Sequence, residues 1–201
     1  MDYSPTDEKF WEKVDGLSYY HLEDYLFNVV YERFHSQGWL SAFDFFSIII
    51  WKANRAKSKV ARKLMAHEDG ISDLDAIVRS LTNSIYKAAE NKERMRILIG
   101  DWQFALPMAS AILTVLYPEE FTVYDYKVCN QIAFPELKNY SSFSEGLWAD
   151  YNSYCAKVMA ESPQNLSLRD KDRYLWGKYT LEKLKEDIKQ WQDRAVVELE
   201  L

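Results

Sequence analysis

The segment that most constrains this chain runs from Trp102 to Gln131, WQFALPMASAILTVLYPEEFTVYDYKVCNQ. Pro107 lacks an N–H and has its φ fixed near helical values, so it suits a first helical turn, where that N–H would have no partner. Behind it, Ala109, Ser110, Ala111, Ile112, Leu113, Val115 and Leu116 form a stretch apolar nearly all round, which predicts a buried helix. Pro118 ends it. Asp125 follows Val123 and Tyr124 and precedes Tyr126, Lys127 and Val128, a natural N-cap position for the next helix. A carboxylate fixed at a helix start, close behind a buried helix, has a defined place relative to the core.

Around this segment the periodicity is helical throughout. Leu22, Leu26, Val29, Val30 and Phe34 mark a helix over 17–37 that ends before Gly38, a C-cap residue. A second helix is expected from Leu40 to Ala66, stopped by the polar turn His67-Glu68-Asp69-Gly70. A third carries Leu74, Ile77, Val78, Leu81 and Ile85, capped by Ser72 or Asp73. A fourth runs over 92–99. After the Asp125 helix come helices over 143–161 and 168–191, the latter opened by Ser167-x-x-Asp170. Only Phe121 to Tyr124 reads as extended. The expectation is an all-α fold in a single domain, 1–201, with two helical lobes and a cleft between them.

Charge and composition narrow the function classes. A net charge of −6 argues against a protein that coats nucleic acid without selectivity. The run from Lys52 to Lys63 nevertheless holds Lys52, Arg55, Lys57, Lys59, Arg62 and Lys63 with no acid, a candidate phosphate-contacting face. Seven Trp and fourteen Tyr exceed what packing alone asks for, which points to aromatic side chains lining a pocket or stacking on bases. Cys129 and Cys155 are too few for a disulfide framework or a four-thiolate iron–sulfur cluster. They read as buried small hydrophobes in a reducing compartment. His21, His35 and His67 lack metal-ligand spacing, so no metal or cofactor is expected. The polar opening is unlike a signal peptide, and the apolar run 43–51 is too short to span a bilayer. The expected setting is the cytoplasm, in association with the nucleoid when engaged on DNA.

The central segment resembles the helix-hairpin-helix DNA glycosylases, the endonuclease-III-like superfamily of base-excision repair. Ala109 to Leu113 match its small-residue helix, and Val123, Asp125 and Val128 match its catalytic turn, followed by a similar Cys129-Asn130. Phe45 to Leu64 is similar to the family's long early helix, whose end faces DNA, and Leu168 to Trp176 (LRDKDRYLW) to a closing helix. The resemblance covers roughly residues 40 to 180, with the hairpin and catalytic turn at about 98–131. There are departures. Gln103-Phe104-Ala105 stand where the family places glycines that bring backbone N–H groups to a phosphate, and Pro107 stands where bifunctional members carry a nucleophilic lysine.

The resemblance implies a monofunctional DNA glycosylase, acting as a monomer on duplex DNA with a flipped-out damaged or modified base. A hypermodified base of phage DNA, and hence a role in antiviral defence, falls within that reading. It assigns Asp125 as the catalytic carboxylate, stabilising an oxocarbenium-like transition state and orienting water. Trp51, Tyr124, Tyr126 and Trp176 are the expected base pocket. Lys52, Asn54, Arg55, Lys57, Gln103, Phe104, Ala105 and Lys127 are the expected DNA contacts. Lys52 and Lys127 lie on other elements than Pro107, so no lyase activity is expected, and the product should be an intact strand with an abasic site. The alternatives are a non-catalytic nucleic-acid-binding relative of the same fold and a helical scaffold whose basic run is a salt-bridged surface.

Overall fold

The computed structural model describes residues 14–67, 73–137 and 141–199, and these are mostly helical, with no β-strand among them. Ser72 and most of the 67–70 turn lie outside the described residues. The first helical region is not one regular helix. It consists of α1 (Gly16–Tyr20), α2 (Leu22–Asp24), a π-helical turn (Tyr25–Val30) and α3 (Tyr31–Gln37). Gly38 closes it in the left-handed conformation at φ +80°, with the Tyr86 ring at 3.0 Å from where a Cβ would stand.

The expected long second helix is broken. α4 (Ala42–Ala53) ends where Ala53 leaves helical geometry at φ −161°, ψ 83°, and a 3₁₀ turn (Asn54–Ala56) leads into α5 (Lys57–Met65). The start of α4 is fixed from inside the core. Ser41 caps it by accepting from the Asp44 N–H, and buried Asp44 accepts from the Tyr25 hydroxyl at 2.7 Å and from Arg33 at 3.2 Å. Eight residues on from Asp44, roughly 12 Å at the helical rise per residue, Lys52 stands at the other end of α4.

α6 (Leu74–Lys87) is capped by Asp73, and α7 (Asn91–Arg96) runs into a π-helical turn (Ile97–Asp101). α8 (Leu106–Leu116) is the buried helix the sequence predicts, with Ala109 to Leu116 all inaccessible and Pro107 in its first turn. His35 donates to the Leu116 carbonyl at 2.8 Å and so satisfies an acceptor at the end of that helix. α9 (Tyr126–Gln131) is capped by Asp125, α10 (Glu145–Ala160) by Ser144, and α11 (Leu168–Leu199) opens with Ser167 accepting from the Asp170 N–H. The buried apolar side chains form one cluster, extending from Tyr25 to Leu175. Cys129 is inside it, whereas Cys155 keeps partial exposure, contrary to the expectation that both are buried.

Phe121 to Tyr124 is an irregular buried connection rather than a strand, so its backbone groups need side-chain partners. The Tyr151 hydroxyl accepts from Thr122 N–H and donates to Thr122 C=O, at 3.1 and 2.7 Å. The Tyr154 hydroxyl donates to the Val123 carbonyl at 2.8 Å, and the Tyr124 N–H donates to Ser110 Oγ on α8 at 2.9 Å. These bonds set where Asp125 emerges. Tyr154→Phe is expected to lower unfolding free energy by about 1–3 kcal/mol, because it strands a buried carbonyl. Urea denaturation measures this, and an unchanged midpoint would show that the connection does not depend on that bond.

Candidate active site

Asp125 has extended backbone (φ −140°, ψ 136°), and its Oδ1 accepts from the Lys127 N–H at 2.9 Å in an N-cap bond. Its other oxygen, Oδ2, accepts from Lys52 Nζ at 2.9 Å, with the two side chains only 20% and 14% exposed. Seventy-three residues separate the pair, and local spacing gives no reason to join them. Breaking off α4 at Ala53 leaves Lys52 at a helix end, facing the connection that carries Asp125.

The pair lies on the wall of a cavity of about 360 Å³, lined by Glu23, Trp51, Lys52, Val123, Asp125, Arg169, Asp172, Arg173 and Trp176. That volume is in the range of small-ligand pockets, roughly 300–1,000 Å³. One wall comes from α2 and α4, another from the 121–125 connection, and a third from the first turns of α11. Arg169 bridges Glu23 and Asp172, and its guanidinium lies 5.1 Å from the ring centres of both Trp51 and Phe27. Arg173 Nε donates to the same Glu23 oxygen at 2.9 Å. Trp176, 44% exposed, stands at the cavity edge with Lys127 Nζ 4.0 Å from its ring centre.

Two of the cavity's carboxylates, Glu23 and Asp172, are shifted in opposite directions. Burial raises Glu23, but Arg169 and Arg173 outweigh it and hold the group below its ordinary value. Burial pushes Asp172 up to about 6, against the opposing pull of Arg169 and Lys52, and the Asp125 charge adds to the upward push. Asp125 itself, with a side chain 20% exposed, lies between a lysine and a helix N-terminus. The site therefore offers one carboxyl group, Asp172, that is protonated in mildly acidic solution beside Glu23, held as an anion, a division of labour suited to acid–base chemistry. Among the described residues no three or more His, Cys, Asp or Glu side chains gather as a metal site.

The expected site residues divide cleanly. Asp125, Trp51, Trp176 and Lys52 meet at the cavity. Tyr124 does not belong to a base pocket: it is buried in the core, its ring against Tyr154 at 5.1 Å and its hydroxyl accepting from the Leu137 N–H at 2.8 Å. Tyr126 is exposed and packs toward Tyr179, away from the cavity lining. Lys52 sits in the cavity rather than on an outer basic face. Asn54, Arg55 and Lys57 are exposed on the 3₁₀ turn and the start of α5, with Lys57 donating to Asn54 Oδ1 at 2.9 Å. Among the described residues no carboxylate pairs with Arg55, Lys57 or Lys59.

In the connection expected to be a hairpin, Gln103 takes a left-handed backbone at φ +52°, the conformation that glycine adopts most easily. Lys63 donates to its carbonyl, and Phe104 N–H donates to Leu98 C=O at 2.8 Å. Phe104 is 3% exposed and packs toward Phe45, so it belongs to the core rather than to an outer contact face. Ala105 is the N-cap residue of α8, with no side-chain cap, and Lys127 covers Trp176.

Glu23, Arg169, Asp172 and Arg173 are site residues that sequence reasoning missed. Arg169, Asp172, Arg173 and Trp176 recur at steps of three, one and three, which is one face of a helix, so that signal was present. Glu23 had none. No family model, curated protein or solved structure matches the chain.

The Asp172 carboxyl, followed by carbon-13 NMR, is expected to titrate near pH 6, to move down in Asp125→Asn and to move up in Lys52→Met. Folding favours its protonated form, a contribution complete below the ordinary value of 3.8 and lost as pH rises through about 6. The corresponding slope in stability between pH 4 and 6 should vanish in Asp172→Asn. A midpoint near 4 in the wild type would contradict the buried placement.

Proposed function

We propose that this chain is a DNA glycosylase of the helix-hairpin-helix type, hydrolysing the N-glycosidic bond of a damaged or modified base. The observation that carries the reading is Asp125. It is held rigidly at a helix start, it faces a cavity walled by Trp51 and Trp176, and a basic turn and helix leave from the same end of α4.

Cleaving the bond between base and deoxyribose develops positive charge on the sugar, and a fixed carboxylate facing the anomeric carbon stabilises that charge. The same oxygens orient an incoming water, whose proton they accept. The base leaves with the bonding electrons and takes up a proton, for which Asp172 is the cavity's protonatable donor. The flipped base enters between α4 and α11, where the indoles of Trp51 and Trp176 offer apolar faces. The two-lobed architecture belongs to this reading, with the cavity as the cleft between lobes. So do the left-handed Gln103 turn as the family hairpin and action as a monomer in the cytoplasm. With Pro107 in place of the family lysine, water is the nucleophile at the base-release step. A hypermodified phage base is the target class that the chain's divergence favours.

Incubation with a panel of duplexes carrying single modified bases, followed by alkali, is expected to reveal cleavage at one modification class. Asp125→Asn should lower that rate by on the order of 10²–10³ while binding is retained. A stable, DNA-binding protein inactive on every modification would favour the non-catalytic nucleic-acid-binding reading.

Removing charge at Arg55, Lys57 and Lys59 is expected to weaken all duplexes alike. Each lost phosphate contact should flatten the log–log salt dependence by about 0.9. A slope equal to that of the wild type would return this face to plain solvation.

A further inference from the structure

Lys52 is the one lysine lining the cavity among the described residues. The other amines near it are committed elsewhere: Lys127 Nζ lies over Trp176 and near Thr180, and Lys171 Nζ donates to the Pro163 carbonyl. Lys52 Nζ stands 2.9 Å from the Asp125 carboxylate, on the cavity wall. If Asp125 faces the anomeric carbon during base release, an atom in contact with Asp125 is within reach of the same carbon afterwards. Reacting atoms held about 3–3.5 Å apart gain the full advantage of proximity.

We propose that Lys52 gives the chain a second activity, cleavage of the DNA strand at an abasic site through a Schiff base. The inference rests on the glycosylase reading for its substrate and reverses the expectation drawn from Pro107, because the fold supplies from α4 the amine that the hairpin lacks. The ring-opened abasic sugar presents an aldehyde at C1′. The Lys52 ammonium and the aldehyde condense to a protonated imine and one water, so charge and protons balance. Asp125, whose carboxylate touches the ammonium, relays the proton that the amine gives up before attack and returns it to the departing hydroxyl. The iminium then acidifies C2′. The Asp125 carboxylate takes that proton, the electron pair forms the C2′–C3′ double bond, and the C3′–O bond breaks with the 3′ phosphate as leaving group. Water hydrolyses the conjugated imine to an unsaturated aldehyde and frees Lys52. No oxidant or reductant enters.

The test uses the full chain and a duplex carrying one abasic site made in advance, with borohydride present to reduce any imine to a stable amine. Wild-type protein is expected to yield a covalent adduct, mapped by mass spectrometry to the peptide containing Lys52. Lys52→Arg keeps a cation against Asp125 but offers no imine-forming amine, and Lys52→Met keeps only the length of the side chain. Both are expected to lose the adduct, while Lys178→Ala on the exposed face of α11 retains it. A lysine needed only to pair with Asp125 would be replaced adequately by arginine. No adduct with the wild type, or one retained in both Lys52 variants, overturns the proposal. Because the abasic site is supplied, this outcome is independent of whether the protein excises any base.

Discussion

The structure around the site depends on one constraint: a non-helical backbone runs through the core between α8 and α9, and its polar groups must be satisfied there. Ser110, Tyr151 and Tyr154 meet that demand from two helices. Each is buried, so each bond is shielded from water and geometrically restrictive. The consequence is a connection without freedom to slide, which delivers Asp125 to a fixed point at the cavity wall. The apolar character of α8 is thus part of the site. A less completely buried helix would not hold Ser110 against the connection.

A second constraint comes from charge. The cavity brings Glu23, Asp125 and Asp172 together with Lys52, Arg169 and Arg173, so the two signs are equal in number and neither dominates. Removing so many charges from water is costly unless each is paired. The pairing here is uneven. Two guanidinium groups hold Glu23 as an anion, while Asp172 shares Arg169 and lies deeper, so burial prevails. Asp125 and Lys52 form a further pair on the cavity wall, its side chains 20% and 14% exposed, that ties the 121–125 connection to the end of α4. Rigid backbone beneath, graded carboxyls behind and indoles at the sides make a site prepared before anything binds.

Much of this was legible in the sequence where the signal is local. The burial of α8, the Asp125 cap, the Gly38 stop, the Asp73 cap and the Ser167 start follow from residue chemistry within a turn or two. The all-helical class follows from periodicity. The break at Ala53 was not legible, because 40–66 has unbroken helical propensity and no Gly or Pro. Tyr124 was misassigned because adjacency to a catalytic candidate says nothing about side-chain direction. In an extended segment successive side chains point opposite ways, so the neighbour of a cavity-facing Asp125 turns into the core. The Lys52–Asp125 pair and the role of Glu23 are long-range facts, fixed by how α2, α4 and α11 converge, and no short spacing encodes them.

The most direct test of the central claim is a structure of the protein bound to a duplex carrying a tetrahydrofuran analogue of the abasic site, which cannot be cleaved and requires no knowledge of the target base. The account predicts the sugar analogue turned out of the helix into the cavity, with its anomeric position against the Asp125 carboxylate, and phosphates lying along the 3₁₀ turn and α5 at Arg55, Lys57 and Lys59. A duplex seated on another face, or a sugar that remains stacked in the helix away from Asp125, would contradict it.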